Sequence, residues 1–190
     1  MKIIYLIGLP GSGKTTVMRK FMSDYTWSND KPIDLLDTQV SNYVDYDTIR
    51  VLGKYEDDQV FGGTDRLSMA VAPKAIEWIK NNLTSDEKIV GEGDRLNNQK
   101  FFETCADRLT ILHLTVSDEE RKRRYKERGS DQSEKFIQTV RTKCKNIIEK
   151  FGDKQTLFGV EKGIVIEMKH ETEEDTEKIV DFIKKTLDIY

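Results

Sequence analysis

Ile3-Ile4-Tyr5-Leu6-Ile7-Gly8-Leu9-Pro10-Gly11-Ser12-Gly13-Lys14-Thr15-Thr16 is the stretch that decides the fold. Its first five residues are apolar without alternation. A strand reads this way when both faces are buried, which points to a parallel sheet covered by helices. From Lys14 to about Asp24, Val17, Phe21 and Met22 recur at helical spacing. Between strand and helix, Gly8 to Thr15 matches G-x-x-x-x-G-K-[ST] in full. At average residue usage, a chance match in a chain of this length has odds of roughly one in a hundred or less. The match also sits where its mechanism needs it, after a buried strand and at the start of a helix. Glycines let backbone N–H groups converge on phosphate oxygens, and the helix N-terminus adds partial positive charge. The expected cradle is Gly8, Gly11, Ser12, Gly13, Lys14, Thr15 and Thr16. Lys14 is expected to reach the β- and γ-phosphates, and the Thr15 hydroxyl is placed for Mg²⁺.

Strands and helices alternate beyond this point, with one irregular stretch. Residues 33–64 read as a hairpin-like insertion: Val40, Tyr43 and Val44 lie before Asp45-Tyr46-Asp47, and Ile49, Val51 and Leu52 after it. Phe61-Gly62-Gly63-Thr64-Asp65-Arg66 is a second glycine-containing loop. Arg66 to Leu83 reads as mostly helical, with a kink or fresh start at Pro73. Lys88 to Gly93 reads as a strand, Asn97 to Asp107 as a helix, and Leu109 to Val116 as a strand. Ser117 with Glu120 forms a capping-box signature before the basic helix Arg121 to Arg128, and Gly129 marks its end. Ser130 to Ser133 opens a long helix to about Phe151. Gly163 to Met168 is the last strand and Thr172 to Leu187 the last helix. The pattern predicts one α/β domain over residues 1–190 with a mostly parallel sheet.

Composition narrows the function classes. At 190 residues the chain fits one domain, burying roughly 70% of its unfolded surface. Hydrophobic residues make up 37% and charged residues 34%, with a mean hydropathy of -0.61. No apolar run approaches the roughly 20 residues of a membrane-spanning helix. The net charge of -3 gives no sign of a general nucleic-acid binder, although a local basic patch is compatible with it. Cys105 and Cys144 fall in no metal-ligand spacing and read as reduced cysteines of a cytoplasmic protein. His113 and His170 stand alone in sequence and read as structural. Trp78 reads as packing. Tyr43, Tyr46 and Phe61 read as core or hairpin faces that are also suited to stacking on a base.

The Gly8 to Thr16 run resembles the phosphate-binding loop of P-loop kinases, especially the nucleoside monophosphate kinase and thymidylate kinase-like type. The resemblance implies a P-loop NTPase three-layer sandwich with helices on both faces of the sheet. It also implies ATP and Mg²⁺ as cofactors, an acceptor side at 33–64 and a lid formed by the helices of 118–150. Ile89 to Arg95 resembles the strand ending in Asp-Arg in thymidylate kinase-like enzymes, although Leu96 replaces the aromatic or histidine usual next. An acid at the carboxyl end of a parallel strand points into the ligand crevice. Glu92 or Asp94 is therefore expected to hold Mg²⁺ or orient the acceptor, with Thr15 and Asp94 as the metal pair and Arg95 on an acceptor phosphate. The Arg124-x-x-x-Arg128-Gly129 spacing is similar to the family's lid arginines. Arg124 and Arg128 share one helix face, with Arg121 and Arg123 on the same helix and Arg141 on the next able to join them when the lid folds back, and fixed bidentate donors suit a transferring phosphoryl group. Thr64, Asp65 and Arg66 fall where the acceptor binds. Asp65 is expected either to take a proton from an acceptor hydroxyl or to N-cap the following helix.

The expected activity is phosphoryl transfer from MgATP to a nucleotide-like acceptor, by default a nucleoside monophosphate. The alternative is the hydroxyl of a hydroxymethylated pyrimidine in DNA, as in viral DNA hypermodification. A regulatory NTPase switch fits less well, because the chain has no Asn-Lys-x-Asp run to read guanine.

Overall fold

The computed structural model describes residues 1–27, 39–42, 48–55, 62–127, 129, 132–152 and 164–189. Its elements in chain order are β1 (Lys2–Ile7), α1 (Lys14–Met22), β2 (Gln39–Asn42), β3 (Thr48–Leu52), α2 (Val71–Asn82), β4 (Lys88–Glu92), α3 (Gln99–Thr104), β5 (Leu109–Thr115), α4 (Asp118–Glu127), α5 (Glu134–Phe151), β6 (Ile164–Lys169) and α6 (Glu173–Thr186). One sheet runs β2-β3-β4-β1-β5-β6. All neighbours are parallel except β2, which pairs antiparallel with β3 as the hairpin reading expected.

The unbroken apolar run of β1 serves two cores. Ile3, Tyr5 and Ile7 pack with residues of α2, α3 and α5 on one face. Ile4 and Leu6 pack with Val17, Met18 and Phe21 of α1 and Ile179, Val180 and Ile183 of α6 on the other. Both faces of the central strand are therefore covered, and the molecule has three layers. From β1 the chain builds β3 and β4 on one side and β5 and β6 on the other. The crevice at the carboxyl ends of β1, β4 and β5 lies at this change of direction, where open α/β sheets bind ligands.

Two local expectations change. The helix read from Arg66 to Leu83 is two pieces, a 3-10 turn at Thr64–Arg66 and α2 from Val71. Pro73 sits in the first turn of α2, where its missing N–H costs nothing, so it makes a helix start and no kink. Asp65 caps no helix; its carboxylate accepts from the backbone N–H of Asp94 at 2.5 Å. Ser117 accepts from Glu120 N–H at 3.3 Å and Ser133 from Phe136 N–H at 3.3 Å, as their spacing predicted. Trp78 is partly buried against the α2-side core, with the Arg50 guanidinium 5.3 Å above its ring. Tyr43, Tyr46, Phe61 and Arg128 lie outside the described residues.

Candidate active site

A cleft of about 120 Å³ opens at the carboxyl ends of β1 and β4. Gly8, Pro10, Gly11, Gly13, Lys14 and Thr15 line one side; Asp65, Glu92, Gly93, Asp94 and Asn97 line the other. Tyr125, Phe136 and Val140 enclose it from the α4–α5 side.

The loop between β1 and α1 closes on itself. Ser12 N–H donates to the Leu9 carbonyl at 3.0 Å. Lys14 Nζ donates to the carbonyls of Gly8 at 3.0 Å and Leu9 at 3.2 Å. Gly13 is left-handed at φ 89°, and a Cβ there would lie 2.0 Å from the His170 ring, so no other residue fits. Ser12 is fully buried and its hydroxyl has no partner among the described residues.

Side chains from far along the chain hold this loop. Tyr125 Oη donates to the Pro10 carbonyl at 2.9 Å. Arg124 Nη1 donates to Gly11 O at 3.2 Å, and its Nη2 donates to the carbonyls of His170 at 3.0 Å and Glu171 at 3.2 Å. His170, buried, places Nδ1 2.8 Å from Ser12 O and Nε2 2.8 Å from Thr176 Oγ1. A carbonyl only accepts, so we assign the hydrogen to Nδ1, and the 3.4 Å approach of Arg124 Nη1 to Nδ1 is then donor to donor. Burial first, then the Arg124 charge, lower the imidazole pKa below its ordinary value. Neither Tyr125 nor His170 belongs to a local motif. Ser12 and His170 are 158 residues apart, and no spacing rule joins them.

On the opposite wall, Thr15 Oγ1 donates to Glu92 Oε1 at 2.8 Å. Glu92 is buried, and burial raises its carboxyl pKa to about 7 against the opposing pull of Lys14; Asp65 raises it further and the Thr15 hydrogen bond lowers it. Tyr55 Oη makes no hydrogen bond of regular geometry with a described residue, though the phenol lies close enough to ease the Glu92 charge. Asp94 is not the partner of Thr15: its Oδ1 pairs with Lys143 Nζ at 2.7 Å. The carboxylate beside Thr15 is therefore Glu92, because β4 ends with this residue directly opposite the start of α1. Among the described residues no group of three or more His, Cys, Asp or Glu forms a metal cage. A hydroxyl beside one carboxylate suits Mg²⁺, which is held by one or two protein oxygens together with substrate phosphates.

Thr64 is fully buried. Tyr5 Oη donates to Gly93 O at 2.8 Å and lies 3.0 Å from Thr64 Oγ1, so the Thr64 hydroxyl donates to Tyr5. Thr64 thus ties its loop to β1 and β4 instead of facing the cleft. Gly63, at φ 71°, lets this loop close on Glu92: a Cβ there would lie 2.9 Å from Glu92 Oε1. Asp65 lines the cleft, with Oδ1 on Asp94 N–H. Arg66 and Arg95 are half-buried and do not line it; Arg95 Nε donates to Leu67 O at 3.4 Å. On α4, Arg121 is buried, pairs with Asp118 at 3.1 Å and lies 5.5 Å from the Tyr125 ring centre. Arg123 is exposed and pairs with Glu120 and Glu127. Hydrogen bonds from Arg123, then Arg124, hold the Glu120 pKa down at about 2. Arg141 reaches Asp118 at 3.9 Å. His113 pairs with Glu167, away from the cleft.

A glycine-rich turn from a central parallel strand into a helix, with a Lys-Thr pair and a facing acid, defines a P-loop nucleotide-binding protein. A family model described as P-loop Nucleotide Kinase3 matches residues 1–180, and the chain belongs to that family. It is thus a P-loop kinase, a phosphotransferase. Three solved structures are similar to it. A sugar kinase from a Janibacter species is 15% identical, with 100% of this chain and 95% of that one covered and a TM-score of 0.48. A gluconokinase from Sinorhizobium meliloti is 14% identical, with 98% and 91% covered and a TM-score of 0.45. An uncharacterized protein from Eubacterium ventriosum is 15% identical, with 100% and 99% covered and a TM-score of 0.44. No curated protein matches the chain. No helix among the described residues is long and apolar enough to cross a membrane.

Proposed function

We propose that the chain transfers the γ-phosphoryl group of MgATP to a hydroxyl on a nucleotide-like acceptor, of the kind a hydroxymethylated pyrimidine in DNA presents. The observation that carries this reading is the charge of the acceptor-side wall. Asp65, Glu92 and Asp94 line the cleft, and among the described lining residues Lys14 is the only cation. Lys143 compensates Asp94 and burial holds Glu92 partly protonated near pH 7, so Asp65 carries the main negative charge on this wall, and a monophosphate acceptor would bring two more toward it. Each like-charge pair at 4 Å costs about 1 kcal/mol in bulk water and several times more at the lower effective dielectric of a protein site. A neutral hydroxyl meets no such barrier and gains a base.

In this reading Lys14 and the N–H groups of the loop hold the donor phosphates. Thr15 and Glu92 would hold Mg²⁺, which when bound neutralises charge on the phosphates. Asp65 takes the proton of the acceptor hydroxyl: Oδ1 is fixed by Asp94 N–H, and Oδ2 has no hydrogen bond among the described residues. The Phe136 ring, 40% exposed and lining the cleft, offers an aromatic face for a base.

The test is transfer of labelled γ-phosphate from ATP to a panel of ribo- and deoxynucleoside monophosphates, nucleosides, and DNA with and without hydroxymethylated pyrimidines. Label in hydroxymethylated DNA or nucleoside supports the reading. Label only in ordinary monophosphates supports a second reading, a nucleoside monophosphate kinase, which the family description and the Asp94-Arg95 pair favour. A DNA acceptor also requires binding that weakens steeply with salt.

A further inference from the structure

We propose that His170 is a positioning residue of the phosphate-binding loop, completing a brace in which Tyr125, Arg124 and His170 hold three consecutive loop carbonyls. The partners are Pro10, Gly11 and Ser12, at 2.9, 3.2 and 2.8 Å. A peptide unit is planar and trans, so each C=O fixes the opposite direction of the next N–H. Holding Pro10 O on Tyr125 turns the Gly11 N–H away from that phenol and fixes its direction. Holding Gly11 O leaves the Ser12 N–H to close the turn on Leu9 O, at 3.0 Å. Holding Ser12 O turns the Gly13 N–H away from His170, toward the cleft that Gly13 lines and His170 does not.

Gly11 and Gly13 are left-handed, at φ 82° and 89°, and glycine is the residue least restrained in that region. The motif therefore permits the cradle without by itself fixing the direction of its N–H groups. The brace supplies that direction before phosphate arrives, and preorganised donors lose less on binding. His170 is itself held. Thr176 on α6 faces Nε2, and Arg124 grips the His170 carbonyl. The brace thus ties α4, the end of β6 and α6 to one turn. It rests on the loop binding nucleotide phosphate and does not depend on which acceptor is used.

The test compares His170→Asn with His170→Gln in the full chain. The asparagine amide nitrogen falls near the place of Nδ1 and can still donate to Ser12 O; the glutamine amide reaches past it, near the place of Nε2. Binding of MgADP and of adenosine is measured by calorimetry, with the melting temperature of each variant. His170→Gln is expected to weaken MgADP about tenfold, and His170→Asn less than about threefold, with adenosine binding unchanged in both. Tyr125→Phe removes the Pro10 contact together with the hydroxyl's interaction with Arg121, and is expected to weaken MgADP about threefold, again without effect on adenosine. Equal loss of MgADP affinity in the Asn and Gln variants, or parent-like affinity in the Gln variant, overturns the proposal. So does loss of adenosine and MgADP binding in parallel, which marks a general packing role. Absence of MgADP binding by the parent chain overturns the reading of the loop itself, and the brace with it.

Discussion

The two walls of the cleft are held in opposite ways. On the donor wall, the carbonyls of Pro10, Gly11 and Ser12 are gripped by side chains from α4 and from the end of β6, while Lys14 holds those of Gly8 and Leu9. On the acceptor wall the side chains do the joining: Tyr5 links Thr64 to Gly93, Asp65 seats the Asp94 backbone, and Lys143 takes the Asp94 carboxylate. The first wall presents backbone dipoles to its ligand and the second presents carboxylates. Dipoles aimed at phosphate suit a charged donor, whereas carboxylates suit a neutral acceptor that must lose a proton.

Lys14→Ala should break the donor wall most severely. Phosphoryl transfer is expected to fall at least several hundredfold in single-turnover assays, because a charge aimed at the transferring group is lost. Near-parent rates would remove Lys14 from that role.

Glu92 sharpens the comparison through pH. Its folded pKa of about 7 lies above the ordinary 4.5, so the folded state binds the proton more tightly than the unfolded state. Sign follows from linkage: this group favours folding most below pH 4.5 and loses that contribution as pH rises through 7, by up to about 3 kcal/mol. Glu92→Gln cannot titrate and should gain stability on the parent across that window. Urea unfolding at pH 5 and pH 8 measures it, and a constant offset between the two proteins would contradict the assignment.

Asp65→Asn separates a base from a structural support of the Asp94 backbone. The amide oxygen still accepts from Asp94 N–H, so the melting temperature should move little, while turnover should fall about a hundredfold as a general base is lost. A large loss of stability with little change in rate would make Asp65 purely structural.

Arg123→Ala should do least. Its pairs with Glu120 and Glu127 lie at the surface, where water and salt screen them and they contribute little. A loss of activity above tenfold, read with MgATP and a working acceptor, would bring Arg123 into the site.

The donor wall and the fold were legible because they are contiguous. Fourteen residues from Ile3 to Thr16 carry the buried strand, the turn and the helix start, and the two faces of β1 follow from its lack of alternation. The α4 and α5 caps were legible for the same reason, since a cap is decided within four residues. The acceptor wall was legible only as residue types. That Thr15 meets Glu92 and not Asp94 depends on where β4 ends opposite α1, and neither segment encodes the other. Thr64 read as a ligand contact because its hydroxyl partner, Tyr5, lies 59 residues away. The brace was illegible: Arg124 was visible as a lid arginine, but its contacts with Gly11 and with the His170 carbonyl arise only when β6 is laid beside β5.

Phosphorus NMR of the product formed with unlabelled ATP and the acceptor that takes label tests the central claim most directly. An acceptor wall of carboxylates predicts a phosphomonoester on a hydroxyl, with a single resonance and no phosphorus–phosphorus coupling. A coupled pair of resonances from a newly made diphosphate would contradict it and show that the cleft accepts a phosphate despite the Asp65 carboxylate.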